Sequence, residues 1–155
     1  MLSAITAAPN QCFLCGPAEA IPAADRAIIR RWLDWSRQNA DCLLARRDLG
    51  GPPGVGRVDG SILVRDGQGF ILLFNPNPEP LDAGIRLDPR LFDARGAEPL
   101  VVSQEYPAGG RRETCRPGAT VCWDVPPLSA MVLRVTPERV ERDSSPNRGM
   151  GLQLG

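Results

Sequence analysis

Any chemistry in this chain has to come from a short menu of side chains. All 18 basic residues are arginine; there is no lysine and no histidine. That excludes Ser–His and Cys–His nucleophile pairs and imidazole metal ligands. It also excludes Schiff-base lysines and the lysine of a P-loop. What remains for proton transfer is carboxylates, five cysteines (Cys12, Cys15, Cys42, Cys115, Cys122) and Tyr106. Cys12-x-x-Cys15 has the spacing of a redox or zinc motif. On a strand, however, residues three apart point to opposite faces, so the pair reads as structural thiols. Cys115 and Cys122 flank Pro117-Gly118 and could approach across a hairpin, but their separation is not that of a zinc knuckle. They too read as structural. Asp59 and Asp124 are the carboxylates to inspect. A glycosidase pair needs roughly 5–9 Å across a cleft, and nothing in the linear sequence provides it. Solvated or turn-capping roles are expected for both. Trp32, Trp35 and Trp123 have the residue type of a sugar-stacking platform, but their spacing places them in the core. Gly50-Gly51-Pro52-Pro53-Gly54-Val55-Gly56 is glycine-rich but no phosphate cradle. Its two prolines remove donors, and no Gly-Lys follows. The sequence therefore assigns no catalytic residue, no cofactor-binding residue and no metal ligand.

The elements that would position these residues fall into two kinds. Residues 10–16 form a short apolar run that reads as a buried strand. From Ile21-Pro22 a helical pattern of about 25 residues follows, with Ile28, Ile29, Trp32, Leu33, Ala40, Leu43 and Leu44 on one stripe. Asp25 lies in the first turn, and Arg46 and Arg47 in the last, as the helix dipole prefers. The Gly/Pro run at 50–53 stops it. Beyond it come six short β-rich runs at 61–65, 69–75, 84–87, 100–103, 119–125 and 129–135. Asp66-Gly67, Asn75-Pro76-Asn77-Pro78, Asp88-Pro89, Ala108-Gly109-Gly110, Pro117-Gly118 and Pro126-Pro127 separate them as turns. Phe70-Ile71-Leu72-Leu73-Phe74 is apolar on both faces. This predicts a central strand, covered on one side by a second sheet and on the other by the helix or a further domain. Trp123 alternates with Val121 and Val125 on one strand face. Residues from Pro137 onward are polar and rich in breakers, the pattern of a disordered tail. The predicted fold class is mainly β: an antiparallel β-sandwich preceded by a short strand and one long helix. The predicted organisation is a strand–helix segment at 1–49, a linker at 50–56, a sandwich at 57–136 and a tail at 137–155.

The chain has 155 residues, 43% of them hydrophobic, and a net charge of zero. This is enough for a packed core, and it lacks the basic surface that nucleic acid requires. No stretch approaches the roughly 20 apolar residues of a membrane span. An odd cysteine count and no basic leader suggest reduced thiols in the cytoplasm.

The order of these segments resembles the C-terminal end of glycoside-hydrolase-like TIM-barrel proteins, including α-galactosidase-like ones. The matching pieces begin with the helix bearing Arg31-Trp32-Leu33-Asp34-Trp35 and Asn39-Ala40-Asp41. After the linker come Val58-Asp59-Gly60, then Gly69 through Asn75-Pro76, and a closing strand at 127–133. Together they span roughly residues 10–136. The resemblance implies one last barrel strand and helix leading into a C-terminal sandwich. The catalytic carboxylates of such proteins sit on earlier barrel strands, which would lie upstream of Met1. A split gene, an incomplete gene model or a degenerate remnant would each account for such a chain. The expected role is therefore non-catalytic: the sandwich buries the flank of a barrel, with that barrel or a second copy of the chain covering the apolar helix face. No cofactor, nucleic acid or membrane partner is expected. The rival expectation is a stand-alone module binding carbohydrate or protein, which needs exposed aromatics. A small enzyme using carboxylates alone is the third.

Overall fold

The structure, a computed structural model, describes residues 2, 5, 18–50, 54–92 and 98–138. A single 3₁₀ turn at Ala18–Ala20 leads into helix α1 (Ala23–Gln38) and the short helix α2 (Ala40–Leu44). Eight strands follow: β1 (Arg46–Leu49), β2 (Asp59–Arg65), β3 (Gln68–Asn75), β4 (Leu81–Arg86), β5 (Leu100–Tyr106), β6 (Arg112–Cys115), β7 (Thr120–Val125) and β8 (Ser129–Pro137). They form a six-stranded sheet in the order β1-β2-β3-β8-β5-β6 and a two-stranded sheet, β4-β7. Every pairing is antiparallel. The mainly β, two-sheet architecture expected from the sequence is the one observed.

Strand alternation explains how the large sheet is coated on both faces. On β3, Ile71 and Leu73 turn toward the small sheet and pack with Ile62, Ile85, Trp123, Val125 and Leu133 in the main core. Phe70 and Leu72, one residue out of phase, turn the other way and meet Trp32, Leu43, Leu63 and Val132, with Leu2 and Ile5 in the same layer. The helix is thus the element that covers the second face of β3. Tryptophan rings fasten it there. Trp35 stands edge-on to Phe70, with centroids 4.8 Å apart, and Trp32 edge-on to Tyr106 at 5.1 Å. Aromatic pairs of this geometry add about 0.5–1.5 kcal/mol beyond their buried area.

The β2–β3 hairpin turns through Asp66 (φ 51°) and Gly67 (φ 75°). Both angles are positive, as the two-residue turn that matches strand twist requires. Gly69 follows with φ 150°, and a β-carbon there would lie 2.1 Å from the Leu63 carbonyl oxygen. Only glycine allows the two strands to approach this closely.

Three expectations need correction. The helix does not run to residue 49. It breaks at Asn39, whose backbone (φ −117°, ψ 25°) leaves the helical region while its side chain donates to the Trp35 carbonyl at 2.8 Å. Arg46 and Arg47, expected in a last helical turn, instead open β1, because pairing with Leu63 and Ile62 of β2 outweighs local helix preference. Second, β6 is a strand that the sequence reading missed. It pairs with β5, whereas β7 pairs with β4, so the chain changes sheet at Pro117-Gly118 and makes no hairpin there. Third, β8 runs through Pro137, and the Glu138 amide donates to the Pro99 carbonyl at 2.8 Å, so the expected tail does not begin at 137. The remainder of that tail and the strand expected at 10–16 lie outside the described residues.

Candidate functional site

The structure separates the residues with chemical potential rather than gathering them. Asp59 lies on β2 of the large sheet, where its carboxylate accepts from the neighbouring Gly60 amide at 2.8 Å. It shares the strand parity of Ser61 and Leu63, so it faces the helix side. Asp124 is exposed on the outer face of the small sheet, across from Asp82 in register. The two carboxylates that merited inspection thus face opposite sides of the sandwich. Cys115 packs partly against the main core from β6, while Cys122 is exposed on β7, so these thiols belong to different sheets. Cys12 and Cys15 lie outside the described residues. Among the described residues, no group of three or more His, Cys, Asp or Glu side chains is placed to hold a metal. Trp123 alternates inward with Val121 and Val125 as expected, at 2% exposure, and Trp32 is 5% exposed. Trp35 is half-buried.

One groove does collect polar groups. It has a volume of about 440 Å³ and lies where the α1–α2 junction meets the β2–β3 hairpin and β8; Asp41, Cys42, Arg65, Phe70 and Arg134 are among its lining. Both arginines of its lining have acidic partners. Arg134 Nε donates to Glu105 Oε2 at 2.8 Å while its guanidinium lies over the Phe70 ring, and Arg65 is 3.8 Å from Asp66. Glu105 also accepts from the Trp35 indole at 3.3 Å, which joins helix, sheet and groove into one network. Burial pushes the Cys42 thiol above its ordinary 9.0, and neighbouring Asp41 adds to this; Arg134 and Arg65 pull the other way. The thiol is therefore protonated at neutral pH, the opposite of an activated nucleophile. Phe70 is 3% exposed and offers no stacking surface. Among the described residues, its lining can form hydrogen bonds with a polar ligand but holds no activated nucleophile and no exposed stacking ring.

At the far end of the sandwich two asparagines form a buried hub that the sequence reading took only for a turn. Asn75 is 1% exposed and Asn77 is 6% exposed. The Asn75 amide donates to the carbonyls of Glu79 (2.8 Å), Val125 (2.9 Å) and Pro126 (3.1 Å). Its oxygen accepts from the Asn77 backbone and side-chain nitrogens at 3.0 and 3.1 Å. Asn77 in turn holds the Gly56 amide (2.8 Å) and the Arg57 carbonyl (3.2 Å). Three connections that lie far apart in sequence are bolted together here. Two Asn residues in alternation with Pro were the available signal, since a planar amide can serve several backbone groups at once.

The remaining feature is apolar. Ile28 lies four residues before Trp32 and seven before Trp35, on the same helix face, yet it is 53% exposed. Ile21, Ile29 and Leu33, each half-buried, line a shallow groove beside it together with Arg26, Arg30 and Arg37. No residue of α1 before Trp32 is buried. No described helix is long and apolar enough to cross a membrane.

No protein family model and no curated protein matches this chain. Among solved structures, a Bacillus halodurans C-125 protein provisionally assigned as an alpha-N-acetylgalactosaminidase is similar at 15% identity and a TM-score of 0.43. The similarity covers 60% of this chain, which spans only 21% of the length of that protein.

Proposed function

We propose that this chain is the non-catalytic sandwich portion of a glycoside-hydrolase-like protein, and that its helix side packs against a catalytic barrel and stabilises it. The observation that carries this reading is the exposure of the first half of α1. A helix that leaves Ile28, on the same face as Trp32 and Trp35, at 53% exposure has an apolar face suited to being covered by something else. The segment order that resembles the end of a barrel protein supplies the nature of that cover. The separation of Asp59 from Asp124 and the protonated Cys42 favour a structural role over catalysis. Burial of Trp32 and Trp123 speaks against a sugar-stacking module.

The test uses the purified chain. It is expected to hydrolyse no aryl glycoside and to bind the apolar dye ANS, with dye binding reduced by Ile28→Glu combined with Ile29→Glu. Measurable glycoside hydrolysis, or absence of dye binding by the unmodified chain, would overturn the reading.

A further inference from the structure

The outward side of α1 has a charge pattern of its own. At about 100° per residue, Arg26, Arg30 and Arg37 fall within about 40° of one another around the helix axis and run about 16 Å along it. All three are exposed. Trp32 and Trp35, which meet Tyr106 and Phe70 on the sheet, lie about 120–180° round from this strip, so the arginines stand on the side away from the sheet. Beside them Ile29 and Leu33, one turn apart and half-buried, form the apolar part of a groove of about 560 Å³. Among the described residues the one acid in its lining is Asp34, bound to Arg37 at 3.0 Å in an exposed pair of the kind that contributes little and exchanges readily. Arg30 has no ion-pair partner among the described residues. Its neighbour Arg31 is engaged elsewhere, 5.3 Å from the Trp32 ring centre and 5.6 Å from that of Tyr106.

We infer that this groove docks an acidic amphipathic helix, whose aliphatic ridge enters beside Ile29 and Leu33 and whose Asp or Glu side chains pair with Arg26, Arg30 and Arg37. The inference rests on the reading of the helix side as the face that packs on a barrel, and it names the chemistry of the element in contact. The shape fits a helix. Ile29 and Leu33 are four residues apart, as are Arg26 and Arg30, so two parallel rows leave between them the channel that a partner's own row of fourth residues fills. The outer surface of a barrel is a ring of such helices. Charge selects the acidic class. The lining sets three arginines against one aspartate, so a basic partner would be repelled. A wholly apolar partner would strip water from guanidinium groups and give them nothing in return, which is costly. Carboxylates accept two bonds each from the guanidinium fork. A nucleic-acid backbone would match the charge but would set phosphates against Ile29 and Leu33.

The full chain would be titrated into a fluorescein-labelled helical peptide with leucines along one face and glutamates flanking them, and into the same peptide with every glutamate replaced by lysine. Fluorescence anisotropy is expected to show binding of the glutamate peptide only, weakened about tenfold between about 50 mM and about 500 mM NaCl. Arg30→Glu should weaken it about tenfold, and Arg30→Gln by less. Arg116→Glu, at an exposed arginine between β6 and β7, makes the same change in net charge and should leave binding unchanged. The salt response needs no variant, so the test holds even if a helix substitution folds poorly. A chain that binds ANS but not the glutamate peptide, or that binds both peptides alike, would overturn the acidic partner while leaving the barrel-packing reading in place. A chain that binds neither dye nor peptide would overturn both. Equal losses in Arg30→Glu and Arg116→Glu would overturn the groove assigned here. Tighter binding of a labelled oligothymidylate, lost in Arg30→Glu, would transfer the surface to nucleic acid and overturn the inference.

Discussion

Replacing Asn75 by alanine tests whether the hub holds this end of the sandwich together. Its amide group serves three carbonyls and its oxygen accepts from two nitrogens of Asn77. Each bond contributes about 0.5–1.5 kcal/mol net, and a buried group left without a partner costs about 1–3 kcal/mol. The amide has only two protons for its three acceptors, so these contributions overlap, and some stranded carbonyls can reach water through the loops. A loss of about 3–4 kcal/mol is expected for Asn75→Ala, a large share of the roughly 5–15 kcal/mol typical of a domain. With a urea slope of about 1.5–2 kcal/mol/M, the midpoint should fall by about 2 M. Tryptophan fluorescence reports the transition, since Trp32 and Trp123 are buried. Asn75→Asp keeps an acceptor but turns a negative charge toward three carbonyl oxygens, so it should cost at least as much as alanine at neutral pH. Asn77→Ala should cost less, about 1–2 kcal/mol, because it gives up mainly the tethers to Gly56 and Arg57. A loss below about 1 kcal/mol for Asn75→Ala would refute the reasoning, since it would mean that the hub is as replaceable as a surface turn.

Two further predictions come from the sheet and the thiols. Gly69→Ala would place a β-carbon 2.1 Å from the Leu63 carbonyl, so it should cost more than about 3 kcal/mol or abolish folding. Circular dichroism and urea titration would read this, and a well-folded, equally stable variant would contradict the close strand approach. Burial raises the thiols of Cys42 and Cys115 above the ordinary 9.0, with Asp41 and Glu113 adding to it. Iodoacetamide labelling at about pH 8, resolved by peptide mass spectrometry, should therefore modify exposed Cys122 well before either. The sign for stability follows directly. The folded state holds the proton more tightly, so this contribution is complete below the unfolded value and declines as pH rises through the folded one. Stability should fall in the window above about pH 9, and less steeply in Cys42→Ser.

What could be read from the sequence was whatever burial writes into it. The six apolar runs became strands because each has a face to bury, and Phe70 to Phe74 announced a strand covered on both sides. Asp66-Gly67 announced its turn, and the alternation of Val121, Trp123 and Val125 announced an inward face. The elements that escaped are those burial does not mark. β1 is Arg-Arg-Asp-Leu, and β6 is Arg-Glu-Thr-Cys; both are edge strands, which a sheet protects with charge rather than apolar pattern. Arg46 and Arg47 also suit a helix C-terminus, so local chemistry pointed the wrong way there. Strand partners are set by non-local contacts, which is why the change of sheet between Cys115 and Cys122 was invisible. The hub at Asn75 was equally hidden, because a buried amide and a turn amide have the same letter.

The place of β8 in the sheet has a consequence for how the chain is made. Among the described strands it is the last in sequence, yet it lies between β3 and β5. Until Ser129–Pro137 has left the ribosome, β1-β2-β3 and β5-β6 are two separate ribbons, each with an unsatisfied edge, and the Val125 and Pro126 carbonyls that Asn75 holds arrive only just before. The sheet cannot close progressively during synthesis. It closes in one late step, when a single strand seals both halves and the asparagine hub locks behind it. During synthesis, the edges of β3 and β5 are the surfaces that a chaperone would have to shield.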